Sequence, residues 1–268
     1  MRCVTACPAR VNDEFKVQNQ TVKPKYEIRE YRRGVIPVNK NSEEKFENKS
    51  NDITAAFPDR FKKTATGLIH NGIDVYFAET CEDAVQTVKR IVPEGSTVTC
   101  GGSVSLAESG VYDLIKSERY RFLDRSTVTD ERSSKEFYSK AYVADAFFCS
   151  SNAVTEQGIL YNVDGNSNRI SMIAHGPSSV IMIVGKNKIV PDLDAAIKRV
   201  KTVAAPKNCK RLGIKTYCSE HGECVSLLKP SSELYEGCNT ICCNYLVSAK
   251  QQKRGRIKVI LVNRDLGY

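Results

Sequence analysis

DAFFCSSNAVTEQGILYNVDGNSNRISMIAHGPSSVIMIVG, residues 145–185, decides how the fold is read. Its two ends, AFFC and VIMIV, are short and almost continuously apolar, the pattern of strands covered on both faces. Between them the chain turns polar, extends through ILYNV and closes on the helix-like SMIAHG. A strand, a crossover with helical content and a second strand is the order a parallel pair requires, because the chain must travel back before running the same way again.

The alternation continues outward. Upstream, DRFKKTATGLIHNG has helical spacing and stops at Gly72, ahead of the strand IDVYFA. TCEDAVQTVKRIVPEG follows as a helix, with Thr80 and Asp83 at capping-box spacing and Ala84, Val85, Val88 and Ile91 on one face. STVTC and RFLD read as short strands, and SSKEFYSKAYVAD as the helix leading into the quoted stretch. Downstream, the helix DLDAAIKRVKTVAA completes the series, and NYLVSA and RIKVILVNRDL read as two further strands forming a hairpin. The expected class is α/β, with a mostly parallel sheet covered by helices on both faces.

At 268 residues and 41% hydrophobic, the chain buries a sizeable core. Three segments are expected: a polar N-terminal extension over 1–51, an α/β domain over 52–205, and a cysteine-rich segment with terminal strands over 206–268 that packs on the same domain. No apolar run spans a bilayer and no export signal opens the sequence, so a soluble, cytoplasmic protein is expected. The formal charge is +9, but residues 51–205 carry 18 Lys/Arg against 19 Asp/Glu, leaving the excess at the two ends. A near-neutral centre argues against a nucleic-acid groove and leaves the basic ends as solvated charge or a docking feature for an acidic partner.

Ligands of open parallel sheets gather at the carboxyl ends of strands. After the strand STVTC, Gly101 and Gly102 allow a tight turn and Ser103 caps the next segment, whose N–H groups face an anion such as a carboxylate or phosphate. This turn lacks both G-x-G-x-x-G and the P-loop pattern, so no nucleotide cofactor is expected. The polar middle of the quoted stretch falls at the same rim. Asn152, Asn162, Gly165, Asn166, Asn168 and Arg169 are expected to contact substrate, Arg169 through its planar fork. Glu156 and Asp164 are the candidates for acid/base work, since a partly desolvated carboxylate is tuned towards neutral pH. Asn and Asp also build turns by bonding their own backbone. His70 and His175 belong to no triad pattern and are read as structural; G-x-S-x-G and H-E-x-x-H do not occur.

SNAVTEQGILYNVDGNSNRISMIAHGPSSVIMIVGKNKIV, with STVTCGGSVSLAESG before it and APKNCKRLG and VILVNRDLGY after it, resembles the LUD-domain family, the lactate utilisation proteins. The likeness covers about residues 55–268. It implies the NagB, ribose-phosphate isomerase and CoA-transferase fold, a three-layer α/β/α arrangement. It also implies oxidation of lactate or a related small hydroxy acid, as an enzyme or a subunit among iron–sulfur redox partner proteins. In that wider group, turns matching Asn152–Gly158 and Asn162–Asn166 line the substrate crevice.

Eleven cysteines are many for this length, and Cys209, Cys218, Cys224, Cys238, Cys242 and Cys243 crowd near the end. Without an export signal, thiolate ligation of a metal is favoured over disulfides. Cys218, Cys224, Cys238 and either Cys242 or Cys243 are the expected ligands, for an iron–sulfur cluster of the 4Fe-4S type or for zinc. Some LUD members resembling this chain carry a C-x5-C-x2-C-x6-C run here; this sequence keeps the first interval, has Leu227 at the third position and a longer loop before Cys238. Cys3 and Cys7 form a further C-x-x-x-C pair, and Cys81, Cys100 and Cys149 read as small buried hydrophobes. Two functions follow: a small anionic metabolite turned over in the crevice, or a non-catalytic metabolite-binding or assembly module with a structural thiol site. Either is compatible with a homo-oligomer.

Overall fold

The structure is a computed structural model in which residues 57–225 and 239–268 are described. The 1–51 extension, Cys3, Cys7 and Cys238 lie outside the described residues. The chain runs through α1 (Asp59–His70), β1 (Asp74–Ala78), α2 (Cys81–Ile91), β2 (Thr97–Cys100), α3 (Val104–Glu108), α4 (Val111–Lys116) and β3 (Arg121–Phe122). It continues through α5 (Glu131–Tyr142), β4 (Ala146–Cys149), β5 (Ala153–Thr155), β6 (Leu160–Asp164), α6 (Asn168–Ala174), β7 (Ser179–Gly185) and β8 (Ile189–Val190). α7 (Leu193–Arg199), a π segment (Val200–Ala204), α8 (Ala205–Leu212), α9 (Tyr217–His221), β9 (Asn244–Ser248) and β10 (Ile257–Val262) complete it.

Six strands form a parallel sheet in the order β1-β10-β7-β4-β2-β3. The period of two along each strand sends alternate side chains to opposite faces. From β7, Val180, Met182 and Val184 pack with Phe61 and Leu68 of α1, Ala141 of α5 and Ile173 of α6. Ile181 and Ile183 pack on the other side with Ala84 and Val88 of α2, Leu106 of α3 and Ile115 of α4. The result is the expected three-layer α/β/α arrangement. Cutting a fully buried side chain such as Phe148 back to Ala costs about 3–5 kcal/mol.

Local signals placed several elements. The capping box of α2 is present: Thr80 Oγ1 accepts from the Asp83 N–H at 3.1 Å and the Thr80 N–H donates to Asp83 Oδ2 at 3.0 Å. At the end of α1, Gly67 meets the 156–158 turn backbone to backbone, so closely that a Cβ on Gly67 falls 2.5 Å from the Gln157 carbonyl carbon.

The hairpin expected of the last two strands does not form. Val259, Ile260 and Leu261 of β10 are all fully buried, which demands cover on both faces, and only an interior place in the large sheet, between β1 and β7, supplies it. β9 keeps Tyr245 and Val247 exposed and takes an edge of a second sheet, ordered β8-β5-β6-β9. In that sheet β5 pairs antiparallel with β6 and β6 antiparallel with β9. Ala153, Tyr161 and Val190 bury against Ala196 of α7, Val200 and Ala205. Among the described residues no helix is long and apolar enough to cross a membrane.

Candidate functional site

A cleft of about 580 Å³ opens where the carboxyl ends of β2, β4 and β7 meet the second sheet and α8. The glycine turn after β2 and the polar turn after β6 reach it together. Gly102 and Ser103 line one side, and Asn152, Asp164, Gly165, Asn166, Asn168 and Arg169 another. They also touch: a Cβ on Gly101 would stand 3.3 Å from the Arg169 side chain. Ser103 Oγ accepts the Leu106 N–H at 3.3 Å, but α3 has only five residues and provides no sustained helix dipole.

The polar cluster is closed on itself. Arg169 Nε donates to Asp164 Oδ1 at 3.0 Å, and one terminal nitrogen donates to the Ser150 carbonyl at 3.2 Å and Asn162 Oδ1 at 2.5 Å. The other donates to Asn152 Oδ1 at 2.8 Å and the Val163 carbonyl at 3.0 Å, so every N–H of the guanidinium is engaged. Asp164 Oδ2 accepts the Arg169 and Ile170 N–H groups, both at 2.9 Å, satisfying donors that the first turn of α6 leaves open. Asn152 Oδ1 also takes the Val163 N–H at 2.9 Å. A fork with every donor engaged and a carboxylate on three donors are held rigidly in place. Arg169 and Asp164, expected as substrate clamp and acid/base, are engaged with each other here: together with Asn152 and Asn162 they tie the end of β4 to β6 and α6.

Around this brace, some groups remain available. Asn166 is exposed and Asn168 half-buried, both on the cleft and both without a side-chain hydrogen bond among the described residues. Ser167 between them takes the left-handed conformation, φ +58°, which non-glycine residues adopt at a cost. Asn162 Nδ2 is a buried donor with no acceptor among the described residues.

Lys188, just after β7, was not foreseen. It lines the cleft while only 4% exposed. Its Nζ lies 2.7 Å from Ser105 Oγ and 3.0 Å from Ser150 Oγ. Each hydroxyl donates its own proton to a main-chain carbonyl, Ser105 to Leu266 at 3.1 Å and Ser150 to Ser151 at 3.4 Å. Both oxygens thus accept from Lys188, which keeps one valence over. Among the described residues no carboxylate forms an ion pair with it. Burial, then the Arg199 and Arg169 guanidiniums, lower its pKa from 10.5 to about 7. Residues 266–268 close over this lysine: the Gly267 N–H donates to Glu108 Oε2, and Asn187 brackets the segment through the Leu266 N–H and the Gly267 carbonyl.

The outer wall is basic and sulfur-bearing. Arg125 and Arg211 line the cleft, Arg211 held by Asn208 and by the Tyr268 hydroxyl at 2.7 Å. Cys242 and Cys243 also line it. Behind them Cys209 and Cys218 approach to 4.0 Å between sulfurs, and burial, with Cys224, Cys218 and Cys209 adding their charge, pushes the Cys242 thiol up to about 12. Of the expected ligands, Cys218 and Cys242 are buried and Cys224 is half-buried; Cys209, not among them, lies beside Cys218. Cys243 is exposed, with its thiol directed to the Thr240 carbonyl. The donor chemistry suits a soft metal. Among the described residues no three His, Cys, Asp or Glu side chains are spaced to hold an ion.

Glu156 stands elsewhere. It pairs with Lys63 at 2.8 Å and Arg60 at 3.1 Å on α1, and the Lys63 hydrogen bond leads in holding its carboxyl below the usual range. The close approach of α1 to the 156–158 turn carries it there, outside the cleft lining.

Residues 61–262 match the LUD domain family. A solved structure, of a DUF162 family protein from Deinococcus radiodurans, is similar at 12% identity over 76% of this chain and 96% of its own, with a TM-score of 0.42. No curated protein matches the chain. With about three quarters of its length inside the domain match, the chain belongs to the LUD-domain family.

Proposed function

We propose that the cleft binds a small organic acid of the 2-hydroxy or 2-oxo class, with lactate and pyruvate the simplest cases, in a lactate-utilisation type of redox process. The observation that carries this reading is the charge on the lining. Arg125, Arg169 and Arg211 share the lining with one carboxylate, Asp164, which Arg169 already neutralises. A concave site with surplus positive charge and a few polar side chains favours an anion small enough to be surrounded. Asn166, Asn168 and Ser103 supply contacts for a hydroxyl or carbonyl group.

The family's association with lactate utilisation selects this acid class from other small anions; the residues alone select only the charge and the size. Whether the chain turns the acid over or delivers it within a complex is a second choice, and the brace bears on it. With Asp164 and Arg169 engaged in structure, a binding or assembly module is the runner-up. For the thiols we propose zinc or an iron–sulfur cluster held by Cys209, Cys218, Cys224 and Cys242, which binding would have to draw together. A cluster supplies one-electron transfer, whereas zinc only clamps the C-terminal segment.

Two measurements test this. Calorimetric titration with L-lactate and pyruvate is expected to show binding that weakens severalfold in Arg211→Ala, and turnover with an artificial electron acceptor separates enzyme from binding module. Metal and sulfide analysis of anaerobically purified protein is expected to find metal that Cys209→Ser loses; metal-free protein removes the cofactor part.

A further inference from the structure

Lys188 is the most buried of the cationic side chains lining the cleft, and among the described residues it has neither a counter-ion nor a third hydrogen bond. A buried ammonium is strongly disfavoured unless an anion lies beside it. The groups facing Lys188 are known from each element around it: Ser105 and Glu108 from α3, Cys149 and Ser150 from the end of β4, Arg169 from α6 and Arg199 from α7. Glu108 is the sole carboxylate among them, and its Oε2 accepts the Gly267 N–H at 2.5 Å. Arg199 is also directed away, donating to the Asn187 and Asn152 carbonyls at 3.0 and 2.6 Å. Around Lys188 the protein thus arranges two guanidiniums, two hydroxyls that accept, and one position that it leaves open.

We propose that Lys188 is the anchor for the carboxylate of the ligand, and that the acid enters the cleft together with one proton, which the Lys188 amine takes up. The balance is simple. Before binding, the amine donates two N–H bonds to Ser105 and Ser150 and carries a lone pair in the remaining direction. When the carboxylate arrives, a proton from solvent occupies that lone pair, and the new N–H donates to a carboxylate oxygen. No bond to carbon forms or breaks, and no oxidant is required. The anion cancels the charge that burial disfavours, so ligand and proton favour each other's binding by the same factor. A neutral analogue lacking the carboxylate gains nothing from this, which makes Lys188 a selector for acids over the corresponding amides or alcohols.

The inference rests on the cleft reading above, and its test separates the two. The full chain is titrated with L-lactate and with pyruvate by calorimetry at about pH 8, in two buffers of different ionisation enthalpy. Roughly one proton is expected to be taken up per ligand there, falling towards none at about pH 6, where the amine is already charged. Lys188→Met is expected to bind at least about tenfold more weakly with no uptake. Lys188→Arg, whose charge is permanent, is expected to bind without uptake, and it guards against a misfolded methionine variant. Wild-type binding with identical heats in the two buffers overturns the role of Lys188 and leaves the cleft intact. Absence of binding for both acids overturns the cleft reading and this inference with it.

Discussion

Two polar clusters share one cleft and do opposite things. In the Arg169 cluster the charges are paired and the guanidinium is saturated: all its donors are engaged, the carboxylate sits on three donors and two amide oxygens accept, with Asn162 Nδ2 the one buried donor left over among the described residues. Around Lys188, only one serine stands on either side and no counter-ion is present among the described residues. Closed networks in low-dielectric surroundings rigidify; open ones leave chemistry to be finished by something else. The density of polar residues therefore marks the support of this cleft, and the isolated charge marks its working part.

Removing the hub of the closed network is expected to have the largest effect. Arg169→Leu takes the counter-ion from the buried Asp164 carboxylate and the guanidinium bonds from Asn152 Oδ1 and Asn162 Oδ1, leaving Asp164 only its main-chain donors, and is expected to cost roughly 3 to 5 kcal/mol in urea denaturation. Arg169→Lys restores the charge with fewer, differently aimed donors and recovers only part. Asp164→Asn is then expected to lower stability more than it alters ligand affinity. A stability change within experimental error for Arg169→Leu would break the contrast between the clusters.

A second effect, smaller within any one pH unit, is on the pH dependence of stability and sharpens the other side. The folded protein lowers the Lys188 pKa from 10.5 to about 7, so between those values the unfolded chain holds a proton that the folded one lacks. Stability contributed by this group rises with pH through that window, by at most about 1.4 kcal/mol per pH unit, and is lowest below about 7. The difference in urea midpoint between wild type and Lys188→Met is expected to follow that slope. Saturating lactate, by charging the amine, is expected to flatten it.

Smaller again is the effect of disturbing the cover over Lys188. Gly267 has φ +58°, and an added Cβ would fall 2.6 Å from Ser105 Oγ. Gly267→Ala is expected to shift the 266–268 segment and weaken lactate binding severalfold in the same calorimetric titration, with little loss of fold. Glu156→Gln closes the series with no expected change in ligand affinity, because its partners Arg60 and Lys63 lie on α1, away from the cleft.

The layers of the fold were legible because each strand and helix declares itself locally. AFFC and VIMIV are too apolar for a half-exposed strand, and Thr80 with Asp83 announces the start of α2 within four residues of chain. Pairing partners are a different matter. RIKVILVNRDL reads equally well as a hairpin arm or an interior strand, and burial on both faces, known only from the assembled layers, decides it. The candidate site divides the same way. Asn152, Asn162, Asp164 and Arg169 lie within 17 positions of one another, so their cluster was visible, yet whether amides bond each other or a ligand is a tertiary question. Lys188 sits in KNK, which looks like an ordinary solvated turn. Its partners Ser105 and Ser150 are 83 and 38 positions away, and no local pattern connects them. Cys209 was missed as a thiol partner of Cys218 for a related reason: it lies on α8, one helix before the segment whose spacing suggested ligands.

The most direct test is the titration of Lys188 itself, followed by NMR through its labelled ε-carbon with Lys188→Met for assignment. The account predicts a midpoint near 7 in the free protein, moving up by at least about two units when lactate saturates the cleft. A lysine that stays charged to its ordinary value of 10.5 in the free protein, or one whose midpoint ignores lactate that is demonstrably bound, would contradict it.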